Sequence, residues 1–378
     1  VYKRQPLQAL GTDELAYHEA VRTLGAYSLL RRDPSSRTLS LHRLVQAVLI
    51  DTLTQEQLQA WVKRTTKLLW AMLPETGGVT FPNWREWERL LPHVLAWAAL
   101  LKQTKCASAE AANLLRLLGW YLKEREQYAE AEPLLQQALS LYKQQVGQEH
   151  PGTAVALSTL GWLYQAQGRY EEAEPLYQRA LAIFEYVLKP EHPEIAATLD
   201  NLAQLYYAQG RYGEAEPLYQ RALAIREQVL GPKHPSTSIT LNNLAQLYLV
   251  QGRYEEAEPL YQRTLAILEQ ALESDNPEIA LSLNNLADFY YAQGRYEEAE
   301  LLYQRALAIK EQVLGPKHSS TALTLNNLAN LYQALGHYRE AESLRLRDLA
   351  ISEQALGPEH PESVSYTHLR AHETGRNL

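Results

Sequence analysis

The chain has 378 residues, a formal net charge of -8 at pH 7 and a single cysteine, Cys106. Phosphate binding relies on concentrated Lys and Arg, so this acidic balance argues against a nucleic-acid partner for the chain as a whole. No apolar run reaches the roughly 18 residues that a membrane span requires, and a lone thiol fits a reducing compartment. We therefore expect a cytoplasmic protein that neither spans a membrane nor binds nucleic acid.

The N-terminal third differs in composition from the rest of the chain. All seven Trp residues lie in the first 162 positions, whereas Tyr dominates the later ones, and this predicts a separate N-terminal region. Residues 1–53 predict a helix, two short strands at residues 27–31 and Thr38–Leu41 around a turn, and a second helix, which together make a partial winged-helix region. Residues 54–105 predict two apolar-striped helices, which we interpret as a helical adaptor.

A block of 42 residues recurs over residues 112–362. Glycine, tyrosine and alanine hold fixed positions in it, and the glycine series is Gly168, Gly210, Gly252, Gly294 and Gly336. In one block, an apolar stripe that ends at Gly210 and a second stripe from Ala215 to Leu230 predict helix, tight turn, helix and loop. Such a unit buries its apolar face only against its neighbours, so function is expected on a long surface rather than in a pocket.

Six helix pairs are predicted, with starts near Ala112, Ala154, Ala196, Ser238, Ala280 and Ala322. In one pair, small and aromatic residues match the tetratricopeptide consensus for size and order: Leu157, Leu160, Gly161, Tyr164, Ala173, Tyr177 and Ala180. The chain thus resembles tetratricopeptide repeat proteins, in the longer 42-residue form of kinesin light chains and many bacterial repeat proteins. The resemblance implies an all-α, right-handed superhelical solenoid in which the first helix of each pair lines a concave groove that binds a protein or peptide.

Polar residues recur on the predicted groove-lining helix, one turn from its core stripe. An Asn side chain offers a donor and an acceptor, so a ladder of them could hold the backbone of an extended peptide. We expect this ladder at Asn201, Asn243, Asn285 and Asn327, with Asn242 and Asn284 beside it. Specificity would come from positions that vary between repeats, namely Gln204, Gln246, Tyr207, Leu249 and Tyr291. Alternatively, one Asn of each pair bonds to the neighbouring repeat, and the varying positions are merely unconstrained.

Other recurring residues could be mistaken for catalytic or metal sites. The linker histidines lie one repeat apart, whereas zinc ligands converge within about 2 Å of one ion; they are His150, His192, His234, His318 and His360. Glu171, Glu172 and Glu174 are interpreted as solvated helix charges rather than general acids or bases. The sequence has no phosphate-binding Gly-rich loop, zinc spacing or nucleophile motif, so we expect no enzyme activity, metal or cofactor in this chain alone.

Residues 38–46 are similar to the winged-helix segment that follows the nucleotide-binding module of STAND (NB-ARC-type) signalling ATPases. In that family the His of a Met-His-Asp motif senses the bound nucleotide, and Leu41, His42 and Arg43 occupy its three positions with two replacements. The resemblance implies that His42 senses nucleotide only together with an ATPase domain upstream of Val1. We expect the C-terminal part of a bacterial signalling ATPase, with oligomerisation through the absent domain; the other interpretation of His42 is an ordinary strand-end histidine.

Two further functions stay open at this point. One is a winged-helix transcription regulator with a repeat sensor domain, and the other is a free-standing cargo adaptor of kinesin-light-chain type. Residues 1–52 carry seven Lys or Arg against five Asp or Glu, so DNA binding is the minority interpretation. Residues 363–378 lack the periodicity of the array, and we interpret them as a non-native tail in which His368 and His372 have no function.

Overall fold

The structure is a computed structural model, and the residues that it describes fall into two compact units, Val1–Gly147 and Gln148–Leu378. The described residues are 30–33, 38–41, 53–72, 84–104 and 106–356. They form fourteen α-helices and one two-stranded hairpin. The predicted all-α solenoid of helix pairs is confirmed, with the hairpin confined to the N-terminal part of the first unit.

The hairpin consists of β1 (Leu30–Asp33) and β2 (Thr38–Leu41), which pair antiparallel with Leu30 opposite Leu41. Strand β2 has the predicted bounds, whereas β1 extends two residues beyond the predicted end at Arg31. The helices predicted on either side of the hairpin, His42 and the tail at 363–378 lie outside the described residues.

Two helices follow in the first unit, as predicted for residues 54–105. They are α1 (Gln55–Met72) and α2 (Trp84–Thr104), and they contact each other. The indole Nε1 of Trp97 donates a hydrogen bond of 2.9 Å to Thr66 Oγ1 across this contact, and both residues are buried. The buried indole N–H therefore has the partner that it needs, which fixes the two helices against each other.

The first helix pair of the repeats, α3 (Ala109–Glu124) and α4 (Tyr128–Gln145), belongs to the same unit. The two helices approach very closely at Gly119, because a Cβ atom there would lie 2.5 Å from Leu135 Cγ. Only glycine permits this distance without displacement of the leucine. The close approach explains why the small-residue position of the repeat, Gly161 or Ala in later pairs, is glycine here.

The second unit contains five helix pairs, α5 to α14. Their bounds are α5 Pro151–Ala166, α6 Tyr170–Val187, α7 Pro193–Ala208, α8 Tyr212–Val229, α9 Pro235–Val250, α10 Tyr254–Ala271, α11 Pro277–Ala292, α12 Tyr296–Val313, α13 Ser319–Ala334 and α14 Tyr338–Leu356. Each of these pairs starts three residues earlier than the predicted start, because the proline or serine after the linker already forms the first helical residue. Each pair packs on the next one within the unit.

The linker histidines are helix caps. His150, His192, His234 and His318 each accept, through Nδ1, a backbone hydrogen bond of 3.0 to 3.2 Å from the residue two positions later. Asn276 does the same with Oδ1 at 2.9 Å. The side chains thus satisfy a free N–H group at the start of each first helix. The substitution of Asn for His in one linker was the sequence signal for capping, since both side chains can accept a hydrogen bond.

Small residues allow the two helices of a pair to pack closely, as predicted. In the pair α7–α8, Ala203, Ala215 and Ala222 are fully buried, and Tyr219 lies between them and the neighbouring helices with 2% of its surface exposed. The turn between the helices places Gly210 at a φ of 73°, the left-handed conformation predicted for it. Burial of an aromatic ring and of several methyl groups in every pair is the main source of stability in the array.

Neighbouring pairs are also joined by a polar cluster that recurs at the helix turns. The Arg211 guanidinium lies 3.9 Å from the centroid of the Tyr206 ring and forms an ion pair of 2.7 Å with Glu174 of the preceding pair. Tyr206 Oη also donates to Glu174, at 3.0 Å. The prediction of solvated charges is therefore wrong for Glu174, which links two repeats, whereas Glu172 is exposed and pairs with Arg169 of its own turn.

Because neighbouring pairs pack through equivalent contacts, deletion of one whole repeat should leave a folded, shorter array. We expect the chain without residues 196–237 to keep its helicity per residue and a cooperative thermal transition. Circular dichroism and size-exclusion chromatography measure both properties. A matched deletion of α8 alone should lose cooperative unfolding, because α7 and α9 would each lose a packing partner. Equal behaviour of the two deletions would contradict stacking between nearest neighbours as the origin of the fold.

Candidate protein-binding face

The first helices of the pairs in the second unit present an accessible strip of recurring side chains. On α9 the strip consists of Ile239, Asn243, Gln246 and Val250, which are three to four residues apart and therefore lie on one side of the helix. The same registers recur at 42-residue steps on α5, α7, α11 and α13. We call this strip, with the tyrosines at its edge, the first-helix face.

The first member of each predicted polar pair faces the stack rather than the surface in two repeats. Asp200 and Asn284 are 5% and 2% exposed. Asn284 Nδ2 donates to Thr324 Oγ1 of the next repeat at 2.9 Å, and Asp200 Oδ2 accepts from Thr240 Oγ1 of the next repeat at 2.9 Å. The prediction that Asn284 contacts a ligand is therefore wrong, because its side chain is buried between repeats. Asp200 and Asn284 instead have the alternative role, which is to stabilise the stack.

The second members remain at the surface. Asn201, Asn243, Asn285 and Asn327 are all half-buried. Asn285 Nδ2 donates to Asn242 Oδ1 at 2.8 Å, and Asn327 Nδ2 donates to Asp288 Oδ1 at 3.1 Å. Among the described residues, Asn201 and Asn243 form no side-chain hydrogen bond within the chain. Two amides of the predicted ladder are therefore available to another molecule, and the other two are bonded to the preceding repeat.

An aliphatic row runs beside the amides. Ile239, Leu281 and Leu323 occupy one register in three consecutive repeats and are 54%, 52% and 54% exposed. Exposed large aliphatic side chains in a regular row favour an interaction surface over scattered surface residues. The same register holds the smaller Val155 and Ala197 in the two preceding repeats, so the apolar area increases toward the later repeats.

Tyrosine pairs lie where the first helices end. The ring centroids of Tyr207 and Tyr212 are 5.7 Å apart, and those of Tyr291 and Tyr296 are also 5.7 Å apart. All four rings are half-buried. Leu249 occupies the corresponding position in the repeat between them. Burial raises the pKa of Tyr207 above its ordinary value, so its hydroxyl stays a hydrogen-bond donor at neutral pH.

The first helices of the second unit carry no basic residue. Their sequences contain no Lys or Arg, and their acidic residues are Glu194, Asp200, Glu278 and Asp288. The two glutamates lie in the first turn of their helices, where an acidic side chain favours the helix dipole. Asp200 is compensated inside the protein, whereas Asp288 is half-buried at the register of Gln246. The first-helix face is consequently a surface of amides, aliphatic groups and tyrosine rings without basic side chains on its helices, and Asp288 is a half-buried carboxylate within it.

The negative charge of Asp200 is neutralised by Arg226, a residue for which no role was predicted. Arg226 Nη2 lies 2.6 Å from Asp200 Oδ2, and the two side chains are 11% and 6% exposed. Burial raises the pKa of Asp200 to about 6, and the positive charge of Arg226 acts in the opposite direction. The pair joins α7 to α8 and, through Thr240, to α9. The sequence contains a signal for this pair. Asp replaces Asn at position 200 in the same repeat in which Arg occupies position 226, and the equivalent positions of the next repeat hold Asn242 and Leu268.

Asp288 and Lys310 form a second internal polar cluster. Tyr303 Oη donates to Asp288, and burial raises the pKa of that carboxyl group. Lys310 is buried, and its Nζ donates to Ser320 O at 3.0 Å and to Thr324 Oγ1 at 2.9 Å. Burial lowers the pKa of Lys310 to about 8. The two groups link α11 to α12 and α12 to α13, and Asp288 itself is half-buried.

The described residues offer nothing to a metal ion, since they contain no group of three or more His, Cys, Asp or Glu side chains that could hold one. No helix among them is long and apolar enough to cross a membrane.

The variable positions Gln204 and Gln246 are exposed and half-buried respectively, and they lie between the amide ladder and the tyrosines. The face is therefore suited to binding by contact and hydrogen bonding.

Sequence comparison identifies the repeats. The profile of the tetratricopeptide repeat family matches residues 109–186, 187–270 and 278–345, which together make up more than half of the chain. A domain of unknown function, DUF7779, matches residues 3–58. No curated protein matches the chain.

Solved structures show similar arrays. BtubC (BKLC) from P. vanneervenii is 26% identical with a TM-score of 0.51, over 63% of this chain and 93% of that one. A candidate kinesin light chain of Podosopora anserina with nearly identical TPR-like repeats is 33% identical with a TM-score of 0.47, over 55% of this chain and 99% of that one. A variant of the latter is 30% identical with a TM-score of 0.46, over 53% and 94%. The chain belongs to the tetratricopeptide repeat family.

Proposed function

We propose that this chain is a non-catalytic scaffold whose first-helix face holds an extended segment of a protein partner. The observation that carries the proposal is the pair of half-buried amides of Asn201 and Asn243, one repeat apart, which bond to no other side chain or backbone group among the described residues. Side-chain amides with both a donor and an acceptor can bond to a peptide backbone at successive repeats. The exposed row of Ile239, Leu281 and Leu323 supplies apolar contact beside them.

Selection of peptides from a random display library on the immobilised chain tests this function. We expect enriched peptides to bind the unaltered chain and to lose binding to a variant with large side chains on the face, Asn201→Trp with Asn243→Trp. A matched variant places the same substitution at Gln220 and Gln262, exposed positions of the second helices. Enrichment that responds only to the second variant would move the binding surface to the second helices and refute the proposal.

Truncation of the amides should separate binding from folding. Asn201→Ala with Asn243→Ala should weaken a selected peptide by about 1 to 3 kcal/mol, because buried peptide groups would lose their hydrogen bonds. The melting temperature should barely change, since neither side chain bonds to another described residue. Asn284→Ala is the control: it removes a bond to the buried Thr324 and should lower stability while leaving the affinity of the folded chain intact. Titration calorimetry and thermal melting distinguish the two cases.

We also propose that the array is the sensor arm of a bacterial, cytoplasmic STAND-type ATPase whose catalytic domain precedes Val1. Support comes from the similarity of residues 38–46 to the winged-helix segment of these ATPases, within which β2 ends at Leu41, one residue before His42. Partner binding on the array would be relayed through this region to the nucleotide. The coding sequence upstream of Val1 should then encode a Walker phosphate loop, and a first domain without one would favour a cargo adaptor.

The chain alone should not bind ATP tightly. A phosphate site needs a backbone cradle that this sequence lacks, and His42 can only contact a nucleotide held elsewhere. Isothermal titration with Mg-ATP should give no heat of binding at micromolar concentrations of the chain. A micromolar affinity would refute the proposal that only an upstream domain binds the nucleotide. In that case, the affinity of His42→Ala for Mg-ATP would show whether the histidine contacts the nucleotide.

A further inference from the structure

The first-helix face carries the same aromatic pair twice, two repeats apart. Tyr207 with Tyr212 and Tyr291 with Tyr296 have equal centroid distances of 5.7 Å and interplanar angles of 49° and 47°. Each pair joins the last turn of a first helix to the first residue of the second helix. All four rings are half-buried, so each pair offers part of its aromatic surface to another molecule. A ligand that spans both pairs must present matching apolar groups at a fixed distance.

The spacing of the first helices suggests the conformation of such a ligand. Neighbouring first helices of the second unit contact each other, and helices in contact lie about 8 to 10 Å apart. A polyproline II helix rises about 3.1 Å per residue with three residues per turn, so one turn advances about 9 Å. Every third residue of a polyproline II segment would therefore return to the same side at each successive repeat. A β-strand presents alternate residues to opposite sides and does not match this step.

The hydrogen-bonding groups of the face fit a backbone that needs donors. A polyproline II segment has no internal hydrogen bonds, and its prolines have a carbonyl group but no N–H. Asn201, Asn243, Gln204 and Gln246 supply amide N–H groups, and the Tyr207 hydroxyl is a further donor. Aromatic-lined grooves recognise proline-rich segments in other folds because the preformed helix loses little entropy on binding.

The charge of the face defines the ligand further. The first helices carry no Lys or Arg, Asp200 is buried and paired with Arg226, and the half-buried Asp288 accepts hydrogen bonds from Tyr303 and Asn327. An acidic side chain placed on this face would lose hydration without gaining a counter-charge, and a basic one would meet only the carboxylate of Asp288, which already accepts two hydrogen bonds. The first helices themselves offer an acidic peptide no basic group. The ligand segment should therefore be uncharged where it contacts the first-helix face.

We infer that the face between Tyr207 and Tyr291 binds an uncharged proline-rich segment in the polyproline II conformation, with prolines about six residues apart on the two tyrosine pairs. This inference rests on the proposed function and specifies its ligand. The residue midway between the two prolines contacts Leu249, which replaces tyrosine in the intervening repeat. The geometry thus assigns the two tyrosine pairs as the main specificity determinants.

A spacing series of synthetic peptides tests the inference on the full chain. Fluorescein-labelled uncharged peptides carry two prolines separated by five, six or seven positions in an otherwise identical polar sequence, and fluorescence anisotropy gives their affinities. We expect the six-position peptide to bind about tenfold more tightly than the other two, because only it places a proline on each pair. Replacement of both prolines by alanine, or introduction of three glutamates, should weaken binding by at least about tenfold.

Variants of the chain localise the effect. Tyr207→Ala and Tyr291→Ala should each cost about tenfold in affinity, and the double variant should lose the preference for six positions. Tyr338→Ala is the control. Tyr338 is equivalent to Tyr212 and Tyr296 and is 70% exposed, but the residue on the preceding helix that would complete a tyrosine pair is Gln333. Circular dichroism of each variant confirms that it folds.

The outcomes distinguish this inference from the proposed function. Peptides that bind through Asn201 and Asn243 without any preference for proline or for spacing would overturn the polyproline assignment and leave the scaffold function in place. Tighter binding of the glutamate peptide would overturn the inference in the same way. If neither these peptides nor any library-selected peptide depends on the first-helix face, both the inference and the proposed function are wrong.

Discussion

Replacement of Asp200 by alanine is expected to lower the free energy of unfolding of the surrounding repeats by about 3 to 5 kcal/mol, because it leaves the Arg226 charge buried without a counter-charge, bonded only to the Ser236 carbonyl among the described residues. Arginine cannot escape this cost by losing its proton. Thr240 Oγ1 would also lose its bond to the carboxylate. Repeat arrays can unfold in segments, so hydrogen exchange of α7, α8 and α9 measures the effect more directly than a global transition.

The chain itself supplies the rescue variant for this experiment. In the following repeat the registers of Asp200 and Arg226 hold Asn242 and Leu268, an uncharged combination that is compatible with the same fold. Asp200→Asn with Arg226→Leu should therefore recover most of the lost stability. Glu185→Ala, which breaks the exposed ion pair with Arg221, should cost at most about 1 kcal/mol. A loss for Asp200→Ala as small as this control would mean that the buried pair is effectively solvated.

The buried pair also has a defined pH dependence. Burial raises the pKa of Asp200 to about 6 in the folded chain, above the value of about 3.9 for an unfolded aspartate. The contribution of this group to stability is therefore fully present below about pH 4 and is lost as the pH rises through about 6. Ionised Asp200 is thus a weak source of stability at neutral pH despite its close partner. A buried pair of this kind can instead select the packing of α7, α8 and α9.

The helix pairs could be predicted from the sequence because each one depends on local signals. Gly210 ends a helix by its backbone conformation alone, and Ala203 and Ala215 mark the close contact by their size. These features repeat every 42 residues, so a misjudged boundary in one repeat is corrected by the others. The starts of the first helices were the exception, since they lie three residues before the predicted ones, at the proline or serine that follows each linker.

The sequence could not predict which of two adjacent polar residues is buried between repeats and which remains at the surface. Asn284 and Asn285 differ by one position, which is about 100° around a helix, and both border the core stripe. Which of them faces the next repeat depends on the rotation of one helix pair against the next, a property of packing. The structure turns Asn284 inward and leaves Asn285 half-buried. The binding role of Asn201 and Asn243 stays a prediction until a ligand is measured.

Lys310 should make the stability of the array rise between about pH 8 and pH 10. Burial lowers its pKa to about 8 in the folded chain, with Asp288 acting in the opposite direction, whereas an unfolded lysine has a pKa of about 10.4. The folded state therefore disfavours the proton, and the stabilisation is present above the unfolded pKa and lost as the pH falls through about 8. With allowance for solvent screening, the change is about 1 to 2 kcal/mol.

The comparison with Lys310→Leu isolates this contribution from other groups that titrate in the same range. Leucine already occupies this register at Leu268, so the variant should fold. We expect the urea midpoint of the unaltered chain to rise relative to that of Lys310→Leu from pH 8 to pH 10. Lys317→Leu, in an exposed linker position, should follow the unaltered chain throughout. Parallel curves for the unaltered chain and Lys310→Leu would show that Lys310 reaches solvent when charged, and that its bonds to Ser320 and Thr324 do not hold it inside the array.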